Sequence, residues 1–179
     1  PELGPKDAAY YQSLIGVLRW IVELGRVNII CEVSMMSSCL ALPREGHLQA
    51  LFHLFSYLNK KHNVELVYDL TDPVIDMSMV PKQDWSTLVY ATGCEGELKE
   101  VIPTVLPKPR GKGMRMRCFV DSDHTGDVVT RRSRTGFLVF LQSSLIYWTS
   151  KKQTSIETSS FRSEFTAIKH ATEYIRGLR

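Results

Sequence analysis

Residues 118–127 read Cys118-Phe119-Val120-Asp121-Ser122-Asp123-His124-Thr125-Gly126-Asp127, and the fold turns on how the acids after Val120 are taken. Aspartate is a poor strand former. Asp121 and Asp123 therefore either open a turn, which Ser, Thr and Gly also favour, or are acids held at a strand end for their chemistry. Residues 115–120, 136–141 and 145–148 each read as a strand, with 142–144 short enough to close a hairpin. An antiparallel sheet of three strands is expected. Beyond it, residues 161–178 put Phe161, Phe165, Ile168, Thr172 and Ile175 on one helical face, after Ser159 and Ser160 as N-cap candidates. Glu164 projects about 60° from Phe161 at about 100° per residue, at the border of that expected buried stripe. A glutamate in a first turn also complements the helix dipole.

Upstream, Tyr11, Leu14, Ile15, Leu18, Ile21 and Val22 recur at three- and four-residue steps within residues 8–24, which predicts a helix. Ile29, Ile30, Val33, Met36 and Leu40 repeat the pattern less cleanly. A third helix is expected after Pro43, through Leu48, Leu51, Phe52, Phe55 and Leu58. Val64 to Tyr68 reads as a short strand. The segment holding Pro103, Pro107, Pro109, Gly111 and Gly113 reads as a linker. The expected division is a helical piece over 1–62, an irregular connection over 63–113 and a sheet-and-helix unit over 114–179. This is an α/β (α+β) chain.

Composition narrows the class. The chain has 179 residues, 44% apolar and 23% charged, as globular proteins have. Its longest apolar run, residues 137–141, is far short of the roughly 20 residues that cross a bilayer. No charged-then-apolar signal stretch opens it, so no membrane partner, solubility and no secretion are the expectations. Pro1 and Arg179, the latter inside a helical pattern, lead us to expect a fragment. Cys31, Cys39, Cys94 and Cys118 form no Cys-x-x-Cys pair, and reduced thiols are expected. His47, His53 and His62 lack the four-residue helical spacing of a zinc pair. Charge is uneven: residues 1–107 carry 8 basic and 13 acidic side chains, residues 108–179 carry 14 and 6, or −5 and +8. A basic excess of that size is the footprint of a polyanion binder or an ordinary solvated face.

A strand end and a helix start packed on one sheet can bring their carboxylates together, and like charges that close call for a cation between them. Oxygen ligands without histidine or cysteine favour Mg2+ or Mn2+. Asp121 and Glu164, with Asp123 as a less certain neighbour, are the candidate catalytic and metal-binding acids. A basic unit with such a site reads as a phosphodiester-cutting enzyme, in which one ion activates water and a second stabilises the leaving oxygen. Arg131, Arg132, Arg134, Lys151 and Lys152 are the candidate backbone contacts, or exposed charges on a hairpin. Tyr147 and Trp148 are candidates to stack on bases, but adjacent strand residues face opposite sides, so at least one is expected in the core. His124 is either a proton shuttle or a turn residue without a role.

These motifs resemble the reverse transcriptase and ribonuclease H region of copia-type LTR retrotransposons. The family's Tyr-Ser-Asp-Ala-Asp-Trp-Ala-Gly-Asp strand is similar to residues 119–127, and its Arg-Arg-Ser-x-x-Gly-Tyr to Arg131-Arg132-Ser133-Arg134-Thr135-Gly136-Phe137. Its Ser-Lys-Lys-Gln resembles Ser150-Lys151-Lys152-Gln153, and its Ser-Ser-Thr-Glu-Ala-Glu-Tyr resembles Ser159-Ser160-Phe161-Arg162-Ser163-Glu164-Phe165. Further upstream, Tyr11-Gln12-Ser13-Leu14-Ile15-Gly16 and His47-Leu48-Gln49-Ala50 resemble stretches after the polymerase core. The resemblance implies a thumb or connection piece followed by an incomplete ribonuclease H-like fold, three antiparallel strands plus one packed helix. Asp121 matches the family's first metal-binding aspartate and Glu164 its glutamate. Arg162 stands where the family has an acid, His124 where it has tryptophan, and Arg26-Val27-Asn28 where it has Arg-Pro-Asp. The polymerase Tyr-x-Asp-Asp is absent, and a further ribonuclease H aspartate would follow Arg179.

The parent is thus expected to hydrolyse the RNA strand of RNA:DNA hybrids with two Mg2+ (or Mn2+) ions, this chain alone being inactive. Its partners would be the hybrid and the upstream polymerase and downstream remainder of the same polyprotein, in the cytoplasm within a virus-like particle, or in the nucleus. The competing class is a noncatalytic clamping module or a decayed relic. A serine hydrolase lacks its Gly-x-Ser-x-Gly elbow. The missing parallel strand predicts an open edge and exposed apolar surface.

Overall fold

The computed structural model describes residues 1–74, 78, 104, 105, 107, 110, 111 and 113–178. Cys94 and most of the proline-rich connection lie outside the described residues. Helix α1 (Pro5–Glu23) opens with proline, whose missing N–H costs nothing in a first turn. It buries Tyr11, Ile15, Leu18 and Val22, a stripe that returns every three to four residues. Gly25 ends it at φ +119, a conformation side chains resist, and a Cβ there would meet Leu66 Cδ1 at 2.8 Å. A 3-10 turn (Val27–Ile29) leads into α2 (Ile30–Ser37), which stops short of the Leu40 end of its pattern. Ser37 Oγ donates to the Val33 carbonyl at 2.7 Å, the local bonding by which serine loosens helices. Helix α3 (Glu45–Lys60) starts two residues after Pro43, with the Arg44 N–H donating to His47 Nδ1 at 3.1 Å. The three helices close on Tyr11, Ile15, Leu18, Val22, Ile29, Val33 and Leu51.

The strand expected at Val64 to Tyr68 is absent, and this is a correction: the run has no regular structure. A strand needs a ladder partner, whereas the chain here meets side-chain hydroxyls, with Ser144 Oγ donating to the Asp69 carbonyl at 2.8 Å and Ser143 Oγ to the Thr71 carbonyl at 3.0 Å. Strands β1 (Met116–Asp123), β2 (Arg134–Leu141) and β3 (Ser144–Lys152) form an antiparallel sheet in chain order, as expected. Both acids lie inside β1, which takes it three residues past the expected end. Gln142 turns the β2–β3 hairpin at φ +56 and is held there by Arg115, whose N–H donates to Gln142 Oε1 at 3.0 Å and whose carbonyl accepts the Gln142 N–H at 2.8 Å.

Alternation divides the sheet. Met116, Cys118 and Val120, with Phe137, Val139 and Tyr147, share one face. Helix α4 (Ser160–Leu178) covers that face through Ala171 and Tyr174, with Tyr174 stacked on Tyr147 at 3.9 Å. The opposite face meets the helical layer: Trp148 Nε1 donates to the Val22 carbonyl at 3.1 Å, and Ser34 Oγ to the Ser150 carbonyl at 2.6 Å. Tyr147 and Trp148 therefore do face opposite sides, both toward packed layers.

The buried stripe of α4 differs from the expected one. Ser163, Ala167 and Ala171 are buried, while Phe161, Phe165 and Ile168 are 76%, 63% and 53% exposed. Small residues at 163, 167 and 171 let the helix sit close to the sheet, and Tyr174 stacks on Tyr147 beside them. The expected apolar surface is present on α4, and β1 has a strand neighbour on one side only among the described residues. Cys31, Cys39 and Cys118 are free thiols. No described helix is long and apolar enough to cross a membrane.

Candidate nucleic-acid interface

Asp121 is exposed and pairs across the ladder with Gly136, which in turn pairs with Ser150. It therefore alternates onto the face away from α4. Asp123, opposite Arg134, lays its carboxylate over Gly126, where a Cβ would come within 1.6 Å of Oδ2. His124 Nδ1 lies 3.4 Å from Ser133 Oγ, a turn contact. Glu164 is half-buried in the first turns of α4, the helix that covers the other face. Among the described residues no group of three or more His, Cys, Asp or Glu is gathered to hold a metal ion.

The basic candidates separate by surroundings. Arg131 and Lys151 are exposed, and Arg132 is half-buried. Lys152 is paired with Asp127 at 2.9 Å. The Thr130 N–H, at 2.8 Å from Asp127 Oδ1, and this lysine hold the Asp127 carboxyl well below the usual carboxylate range. Arg134 is placed differently. It is 8% exposed and donates to the Ser34 and Ser38 hydroxyls of the helical layer, because its strand position faces that layer. A guanidinium so placed is turned toward the helical layer, and Arg131 and Lys151 are the exposed ones among these candidates.

Two structural residues escaped the sequence reading. Gln153 is buried and donates through Nε2 to Thr135 Oγ1 and to the Ser163 carbonyl, both at 3.0 Å, which ties the end of β3 to the first turn of α4. Asp127 caps residues 129 and 130; its spacing before Thr130 was the available signal, since aspartate accepts from N–H groups two and three residues on.

No family model matches the chain, and no solved structure does. Over 164 residues it is 23% identical to the Retrovirus-related Pol polyprotein from transposon RE1 of Arabidopsis thaliana, covering 90% of this chain. Over 166 residues it is 23% identical to the corresponding polyprotein from transposon TNT 1-94 of Nicotiana tabacum, covering 93%. The likeness is to part of a retrotransposon Pol polyprotein. The chain spans only 8% and 9% of those two polyproteins. It is also 24% identical over 163 residues to Secreted RxLR effector protein 161 of Plasmopara viticola, covering 91% of this chain and 87% of that protein.

Proposed function

We propose that residues 114–179 are part of a ribonuclease H-like unit in a copia-type Pol polyprotein whose parent hydrolyses the RNA strand of RNA:DNA hybrids. In this reading the chain supplies the antiparallel strands, the packed helix and exposed cations, not a whole catalytic centre. The observation that supports it is the run of β1, β2 and β3 followed by α4 packed over β1 and β2, in a chain that aligns with two Pol polyproteins over nine-tenths of its length. Divalent ions supply the water activation and leaving-group stabilisation of such chemistry. Among the described residues no group of three or more His, Cys, Asp or Glu is gathered, so no step is assigned to an ion they hold.

The test is hybrid cleavage in Mg2+ by the 179-residue chain and by a polyprotein extended past Arg179. The chain alone is expected to be silent. The extended protein is expected to cut, and to lose at least about 100-fold on Asp121→Asn, the scale of removing a group that handles the reacting proton or water. Undiminished cutting by that variant rejects the assignment of Asp121. A second reading, a noncatalytic clamp, rests on the exposed cations Arg131 and Lys151. Tight hybrid binding without cleavage by the extended protein would establish it.

A further inference from the structure

A groove of about 570 Å³ runs beside β3, between that strand and helices α1 and α2. Arg19, Arg134, Lys151 and Lys152 line it together with the hydroxyls of Ser37 and Ser38, and Glu23 is the one carboxylate among its lining residues. Arg134 is the residue that demands an account. It is more than nine-tenths buried, yet its recorded partners are the neutral hydroxyls of Ser34 and Ser38. The ion pairs among the described residues join Lys152 to Asp127 and Lys169 to Glu173, so no carboxylate neutralises Arg134. A cation taken out of water without a counter-charge is costly, and one partner of opposite sign relieves it.

Glu23 forms no ion pair among the described residues, and the two acids at this end of the sheet are already committed. Asp123 stands directly across the ladder from Arg134 but is folded over Gly126. Asp127 accepts from the Val129 and Thr130 N–H groups and from Lys152. A guanidinium has five N–H donors in a planar fork, a shape that matches a tetrahedral oxyanion two bonds at a time. We infer that this groove binds a phosphate-type oxyanion, with Arg134 as its buried anchor and Lys151, Ser37 and Ser38 around the entrance. The source of that phosphate, a nucleic-acid backbone or free phosphate, is the only part that rests on the function proposed above.

The experiment is thermal unfolding of the 179-residue chain in sodium phosphate against sodium chloride at equal ionic strength. At tenfold excess over the dissociation constant, phosphate is expected to raise the midpoint by roughly 3 to 6 °C. Ser38→Asp places a carboxylate beside the guanidinium from an exposed position. It is expected to raise the midpoint without phosphate and to abolish the phosphate response, as Arg134→Gln is also expected to do. No phosphate-specific rise in the parent chain, or a full rise in Ser38→Asp, overturns the proposal, and the second variant keeps that outcome readable if Arg134→Gln fails to fold. A fluorescent RNA:DNA hybrid, which phosphate displaces from the parent chain and Ser38→Asp fails to bind, supports the site and assigns the phosphate to a backbone. A phosphate response with no hybrid effect supports the site and assigns it to free phosphate. Neither readout involves cleavage, so loss of the nuclease reading leaves this test intact.

Discussion

Asp127 shows how one side chain organises the loop between β1 and β2. Its Oδ1 takes the Thr130 N–H at 2.8 Å and the Val129 N–H at 3.1 Å, while Oδ2 takes Lys152 at 2.9 Å. These bonds favour the ionised form and depress its pKa in the folded chain. The unfolded chain then binds the proton more readily. The stabilisation is complete above the unfolded aspartate value of about 3.9 and is lost as pH falls through the lower folded value. Asp127→Asn is expected to cost about 1 kcal/mol at neutral pH and to flatten the acid limb of stability. Urea unfolding between pH 2 and 7 measures both, and an acid limb as steep as the parent's would show that this carboxylate is not linked to folding. The neighbouring candidates carry the same lesson in reverse. The positions of Asp121 and Glu164 were legible as chemically odd acids, but which face of β1 an acid occupies depends on the pairing of Val120 with Phe137. A single strand's pattern does not contain that pairing.

Helix α4 is the element where periodicity and docking part company. Its apolar residues do share one face, as their spacing indicates, but Ser163, Ala167 and Ala171 are the ones buried. Periodicity identifies a face rich in carbon; packing selects the face whose shape fits. Phe137, Tyr147 and Tyr174 already fill the space over the sheet with rings 3.9 to 5.7 Å apart. Lengthening the small side must therefore push the helix away. Ala167→Leu is expected to destabilise by about 1 to 3 kcal/mol through overpacking, whereas Phe165→Ser should stay within about 0.5 kcal/mol. Chemical denaturation of the two variants decides the matter, and the reverse order of effects would mean that the helix docks by its phenylalanines. The three strands were legible to within a few residues because each is a short run of strand formers and a two-residue connection closes the β2–β3 hairpin. Val64 to Tyr68 is rich in strand formers as well, but among the described residues no strand pairs with it to make a ladder.

At the scale of the whole molecule, the helical layer and the sheet are joined by few, specific contacts: Trp148 to Val22, Ser34 to Ser150 and Arg134 to Ser34 and Ser38. The division of the chain at residue 62 was drawn from the end of the helical pattern, and local pattern is blind to a tryptophan whose partner is 126 positions away. That separation has a kinetic consequence. Neighbouring strands close connections of ten and two residues, while seating Trp148 on α1 closes one of more than a hundred, and closure entropy grows with loop length. Hairpins and helices thus assemble early, and the seam between them locks last. Trp148→Phe removes the indole donor at a cost of about 1 kcal/mol, and stopped-flow circular dichroism is expected to find that cost almost wholly as faster unfolding. A matching slowdown in refolding would mean that the seam forms in the rate-limiting step.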